Sequence, residues 1–372
     1  MIDMDFFLQL LKFKTFNPNK EEKEKAAKFI KNYLENKGFD VEIIYSENDT
    51  PNILAKYPGK GKKVAFVTHF DVVPPGEGWN TDPFDPKVEG NKIIARGAAD
   101  DKSAIVASIA GIENAKEINV QPILAIAGGE ETQESTQFFE QIDSDIALVI
   151  DTGPYVSIGS SGFLGINIYV EGKQVHSAHA YRGENAIYNA AKVIEFIEHI
   201  SKAFEKTLLS KYQFIEHYDR VPVRVNPTKI EVKPNVINII PGEVKIYVNA
   251  RTVPEYDNDY VFNKVSDLLK EFASKNNIKL RIEKDKLELP PWVSDGEHVD
   301  KFIQLTKDLL GEKKILELGG TDGYHFYKRG IKVIQFGPMR EENNIHGPNE
   351  FVYIEDVERV AEVIKRVVEN GL

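Results

Sequence analysis

The sequence predicts an α/β protein whose larger domain, built on a mainly parallel central sheet, is interrupted by a ferredoxin-like βαββαβ insert. Three observations predict it. Up to Ile150, apolar strand segments alternate with helical segments, the pattern of a parallel sheet covered on both faces. After Ser160 the pattern switches to period-two strands separated by long helices, in the order βαββαβ. Beyond Pro290-Pro291 the first pattern resumes. At about 150 residues per domain, a chain of 372 residues holds two or three domains. The boundaries fall at 1–161 with 289–372 for the larger domain and 162–288 for the insert.

The elements follow in order. MIDMDFFLQLLKFKTF is an amphipathic helix, and Glu21 to Lys37 is a second, stopped at Gly38, a helix C-terminal residue type. VEIIYS and NILAKYP are short strands, and Pro58-Gly59-Lys60-Gly61 is a turn. Val64 to Thr68 is a continuous apolar strand. Lys102 to Glu117 is a helix, Pro122 to Ala127 a strand, Thr132 to Gln141 a short helix and Ile146 to Ile150 a strand. In the insert, GFLGINIYVEG alternates with period two, and Glu184 to Phe204 is a long helix. Strands Thr228 to Val232 and Val244 to Ala250, a helix from Tyr260 to Asn276 and a strand from Lys279 to Glu283 complete it. Thr207 to Val225 is a loop within the insert. Helix Val299 to Leu310, strand Val333 to Phe336 and helix Ile354 to Val368 return to the larger domain.

Composition narrows the function. With 47 Lys and Arg against 58 Asp and Glu, the net charge is −11, which repels phosphate and excludes nucleic acid as a partner. No apolar run approaches the roughly 18 residues a membrane span needs, so no membrane partner is expected. The N-terminus carries acids where a secretory signal carries bases, and a cytoplasmic protein is expected. Zero cysteines remove disulfides, thiolate nucleophiles and Cys-type zinc sites, so any metal must be held by His and carboxylates.

Polar residues stand where the larger domain's strands end. His69 and Asp71 follow VAFVT, Glu130 and Glu131 follow ILAIA, Asp151 follows IALVI, and His346 lies in the loop after VIQF. A further cluster, Arg96 to Lys102 with Asp100 and Asp101, opens a helix. Ligands of open α/β sheets sit beyond the carboxyl ends of the strands. Two histidines and several carboxylates on one rim form an N/O ligand set for zinc, or for cobalt or manganese. The ligands exceed what one tetrahedral ion uses, which points to two ions about 3.5–4 Å apart. Each residue also has a structural reading: Asp100 or Asp101 as an N-cap, the glutamates as complements to a helix dipole, Asp151 as a turn residue, His346 as a loop cap. Independent caps have no reason to land together on successive strand ends, and the joint pattern favours a metal site. GSSGFLG, by contrast, is followed by a strand and lacks the Lys-Ser/Thr of a phosphate loop.

At these residues the sequence resembles, nearly end to end, the dinuclear-zinc aminoacylase and carboxypeptidase family, which includes deacetylases and desuccinylases. The resemblance implies that His69 binds a metal and Asp71 orients it, that Asp100 bridges the two ions, that Glu130 is the general base, and that Glu131, Asp151 and His346 are ligands. GKQVHSAHAYRGENAI is similar to the family's lid motif, which makes His176 an oxyanion-stabilising residue offered to the partner subunit of a homodimer formed through the lid. Asn238 in NIIPGE, Arg251 in NARTVPEYD, and Gly320 and Thr321 in GGTDG fall at positions that bind the substrate's free carboxylate. Gly129, Val175, Ala180 and Ser103 depart from the usual Asp, Gly, Pro and Gly without touching a ligand or the base.

The activity this implies is metal-dependent hydrolysis of the amide bond of an N-acyl amino acid bearing a free carboxylate. A water held between two divalent ions loses its proton near neutral pH, Glu130 accepts it, and Arg251 offers a planar fork to the carboxylate. Arg251 could instead pair with Glu255. A carboxypeptidase or dipeptidase acting on short peptides uses the same residues, and a catalytically silent binding protein that keeps the fold is a third possibility.

Overall fold

The continuous apolar runs become neighbouring strands at the centre of the larger of two units. The computed structural model describes residues 2–214 and 219–372. The chain divides into one unit of Met1–Ile158, Ser294–Lys314 and Asp322–Leu372, and another of Gly159–Val293 and Ile315–Thr321.

In the larger unit the sheet runs in the order Asp40–Tyr45, Pro51–Lys56, Gln121–Ala127, Lys63–His69, Ile146–Val149, Lys332–Gln335 and Val156–Ser160. The pairings from Gln121–Ala127 to Lys332–Gln335 are parallel, and those flanking them are antiparallel. Val64, Ala65, Phe66 and Val67 are all buried, as a strand covered on both faces requires. His69 lies opposite Ala127 and Val67 opposite Val149. His69, the turn after Ala127 and Asp151 therefore leave the sheet at the same carboxyl end.

Local chemistry sets the helices. Asp3 Oδ1 accepts from Phe6 N at 3.0 Å and caps Met4–Leu10, while Asn19 caps Lys20–Asn36. Lys102–Glu113 is buried on nearly every face and packs on Ile354–Asn370, where Gly111 permits the close approach. A Cβ there would sit 2.7 Å from Ala361 O and from Ile364 Cβ. This helix ends four residues before the predicted Glu117, at the C-cap Asn114, whose main-chain N–H and Nδ2 both donate to the Ala110 carbonyl, at 3.0 and 2.7 Å. A small sheet of Lys87–Glu89, Lys92–Ile94 and Phe351–Tyr353 has strands too short to show a period.

The smaller unit holds an antiparallel sheet in the order Arg224–Lys233, Glu243–Thr252, Gly162–Glu171, Leu280–Leu289, which is the ferredoxin-like arrangement. Leu164, Ile166, Ile168 and Val170 alternate inward from one central strand, and Val244, Ile246, Val248 and Ala250 from the other. Helices Ala186–Thr207 and Asn258–Lys275 pack on this sheet, with Phe196 and Phe272 stacked at 4.2 Å. The segment Ile315–Thr321 packs with this unit although the sequence boundaries placed it in the larger one. Leu316 N donates to Gln213 O at 3.0 Å and Ser161 N to Glu317 O at 2.8 Å, an exchange between distant segments that no periodicity announces. Trp292 pairs with Ser160, which likewise draws Gly159–Ser161 and Leu289–Val293 into the smaller unit. Within the predicted loop Thr207 to Val225, Leu209 bridges Pro222; residues 215–218 lie outside the described residues.

Candidate metal centre

His69 ends its strand almost fully buried. Its Nδ1 lies 3.0 Å from the Asp71 carbonyl, which can only accept, so Nδ1 carries the proton and Nε2 is left for a ligand. That Nε2 lies 2.9 Å from Asp100 Oδ1 and 3.7 Å from Asp151 Oδ1. The other oxygen of Asp100 faces a different imidazole: His346 Nε2 lies 3.0 Å from Asp100 Oδ2 and 3.1 Å from Glu131 Oε1. The potential ligand atoms thus form two overlapping groups, His69 with Asp100 and Asp151, and Asp100 with Glu131 and His346. A third grouping joins His69, Glu130 and Glu131. His346 reaches this position on a loop in which it, Asn344 and Asn349 all take positive φ.

The acids around these groups do not act as simple helix caps. Asp101 occupies the N-cap position of Lys102–Glu113 but gives no side-chain cap. Its carboxylate turns back to accept from the Thr68 hydroxyl and, at 3.3 Å, from His69 N. The Asp100–Asp101 peptide is cis. Asp71 does more than orient an imidazole: its Oδ1 accepts from Glu130 N at 3.0 Å and its Oδ2 from Glu131 N at 3.2 Å. The same turn is held further along by Glu134, whose carboxylate accepts from Asn17, Asn48 and Thr50 at 3.3, 2.9 and 2.8 Å. These bonds keep residues 130–134 out of the helix, which starts at Thr136 rather than at the predicted Thr132.

Electrostatics expose the crowding. Burial disfavours charge on His69, yet bonds to Asp100, Asp151 and Asp71 outweigh it and hold its pKa well above the ordinary value. Bonds to Asp100 and Glu131 push His346 up to about 10. Burial and neighbouring acids raise Asp151 to about 6 and Asp322 to about 8. Burial, with Asp322 next, lifts Glu130 well above the usual carboxylate range. Acids gathered this closely hold on to protons unless a cation neutralises them. Oxygen and imidazole donors in two groups that share one carboxylate are the donor chemistry of paired divalent ions. The residues present fit such a pair.

The other expected site residues lie in the smaller unit. His176 pairs with Ile239 in a two-residue strand, and Ser177 N donates to Asn238 O at 2.9 Å, so His176 and Asn238 share one exposed corner. His176 Nδ1 accepts from Ala178 N at 3.1 Å. Arg251 is half-buried over the Phe163 ring. Glu255, its alternative partner, accepts from Lys211 N instead. Gly320 and Thr321 lie in the segment that joins this unit late in the sequence, and Thr321 Oγ1 is buried. Sequence reasoning missed Asp322, one residue beyond Thr321, which lies close enough to lift Glu130. It also missed Glu350, and gave Arg96 no task beyond its place in the Arg96 to Lys102 cluster. An acid or base inside a motif already assigned to another residue carries no separate signal.

The sequence profile of Peptidase family M20/M25/M40 matches residues 65–370. The chain belongs to that family. Over 99% of both chains it is 30% identical to a succinyl-diaminopimelate desuccinylase of Nautilia profundicola. Over 98% of both it is 26% identical to a protein of the same name from Sulfurovum sp.. An M20 family metallo-carboxypeptidase from Sulfolobus solfataricus superposes with a TM-score of 0.71 at 20% identity, over 99% of each chain. This M20 chain is a hydrolase, and its family chemistry is metal-dependent cleavage of amide bonds. No helix among the described residues is long and apolar enough to cross a membrane.

Proposed function

We propose that this enzyme hydrolyses the amide bond of an N-acyl amino acid with a free carboxylate, a desuccinylase-type reaction, using two divalent cations, zinc first among them. The observation that carries it is the sharing of Asp100, whose two oxygens face two imidazoles 277 residues apart in the chain, one at a strand end and one on a loop, each within 3.0 Å. His69, Asp100 and Asp151 would hold one ion; Asp100, Glu131 and His346 the other. Bound there, the ions supply Lewis acidity at the carbonyl and lower the pKa of water towards neutrality. Glu130, its carboxyl already biased to keep a proton, takes one from the attacking water and delivers it to the leaving nitrogen. Asp71 holds the main chain of Glu130 and Glu131 and, through its carbonyl, the tautomer of His69. Because His176 Nδ1 accepts a hydrogen bond, its Nε2 carries the proton and is a donor for a developing oxyanion. Arg251, Asn238, Gly320 and Thr321 bind the substrate's carboxylate.

The two desuccinylase relatives, matched along their whole length, support an acyl-amino acid over a peptide. We further assign a cytoplasmic homodimer formed through the smaller unit, whose exposed Tyr181, Tyr188, Ile230 and Ile237 suit burial against a second copy. Chelation followed by zinc addition, with N-succinyl and N-acetyl amino acids assayed beside dipeptides, tests the reading. Activity that survives chelation removes it, and faster turnover of dipeptides replaces the substrate class.

A further inference from the structure

The two liganding loops that supply Asp100 and His346 meet on one buried acid. Glu350 is fully buried. Its Oε1 accepts from the main-chain N–H of Ala99 at 2.9 Å and of Asp100 at 3.2 Å. Its Oε2 accepts from Gly97 N at 3.2 Å and from Arg96 Nη1 at 2.6 Å. The other arm of Arg96, Nη2, donates to His346 O and to Pro75 O, each at 3.2 Å. Glu350 also closes the strand ladder, because its carbonyl accepts from Ala95 N at 3.0 Å.

His346 needs such support. It has φ +62°, a conformation L-residues rarely adopt, and its ring is about half exposed, so neither backbone preference nor packing fixes it. We propose that Glu350, acting through Arg96, is a positioning residue that couples the two halves of the metal centre. One carboxylate locks the main chain of the shared ligand Asp100, and the guanidinium it orients locks the carbonyl of His346. The inference rests on the metal-site reading above and adds to it the device that holds the His346 loop against the main chain of Asp100. The bidentate fork is required: Lys in place of Arg96 keeps the buried charge but has one point donor for acceptors on both sides.

The test is a cobalt(II) titration of the metal-stripped wild type, Arg96→Lys and Glu350→Gln, followed by visible absorption and direct metal analysis, with thermal unfolding of the metal-free proteins alongside. Orienting partners of this kind are worth about 10–100-fold in metal affinity. In Arg96→Lys one equivalent should therefore weaken by that factor while the other stays within about threefold. In Glu350→Gln both weaken, since the main chain of Asp100 is released as well. Should Glu350→Gln not fold, Arg96→Lys alone decides. The proposal is overturned if Arg96→Lys binds both equivalents as the wild type does, loses both equally, or lowers only the unfolding temperature. A wild type that binds no cobalt refutes the metal-site reading instead.

Discussion

Replacing Glu130 by Gln removes one proton acceptor and almost nothing else. The amide matches the carboxylate in shape, and the Glu130 N–H bond to Asp71 Oδ1 at 3.0 Å belongs to the main chain, so the turn stays in place. Glu130 belongs to neither of the two groups that share Asp100, so two ions should still bind. A positioned general base contributes about 10²–10⁴-fold. At 1.36 kcal/mol per tenfold, that is about 2.7–5.4 kcal/mol of barrier. Steady-state hydrolysis of an N-succinyl amino acid by the zinc-loaded variant should show kcat lowered by that factor, with KM and metal content near wild type. Stability supplies an independent sign. The carboxyl of Glu130 has its pKa raised by burial and then by Asp322, so its ionised form is unfavourable in the folded, metal-free protein. The metal-free variant should therefore unfold at pH 8 no earlier than wild type. Turnover within about threefold of wild type would refute the assignment of Glu130 as base.

Three further outcomes are expected. In chelator, thermal stability should fall as pH rises from 5.5 to 9. Asp151 at about 6 and His346 at about 10 both lie above their unfolded values, so the folded state binds the extra protons and loses that advantage as they leave. A stability that climbs over this window, measured by calorimetry, contradicts the crowding. Arg251→Ala should raise KM sharply for substrates with a free carboxylate and leave amidated analogues unaffected; equal effects on both would show that Arg251 does not recognise that group. His176→Ala and Glu130→Gln, each nearly inactive alone, should recover activity on mixing if His176 serves the partner's site; mixtures that stay inactive remove the role across subunits.

The sequence made the sheet and the rim legible for a physical reason. Strands buried on both faces must be continuous apolar runs, and His69 and Asp151 stand out where such runs stop. The insert was equally plain, because one buried face imposes period two on Gly162–Glu171 and Glu243–Thr252. What stayed hidden depends on partners far away in the chain. The helix start at Thr136 is decided by Asn17, Asn48 and Thr50 gripping Glu134. The docking of Ile315–Thr321 depends on Gln213. Asp322 and Glu350 sit within segments whose pattern was already explained by their neighbours, and Asp71 shows its second task only once Glu130 and Glu131 are brought to its carboxylate. Period and spacing report what a segment buries, not which distant group it meets.

Anomalous scattering from zinc-loaded crystals would reveal the carboxylate-sharing metal pair itself. Two peaks about 3.5–4 Å apart are expected, each with one oxygen of Asp100, the first completed by His69 and Asp151 and the second by Glu131 and His346. A single peak, or two peaks that do not share Asp100, would contradict it.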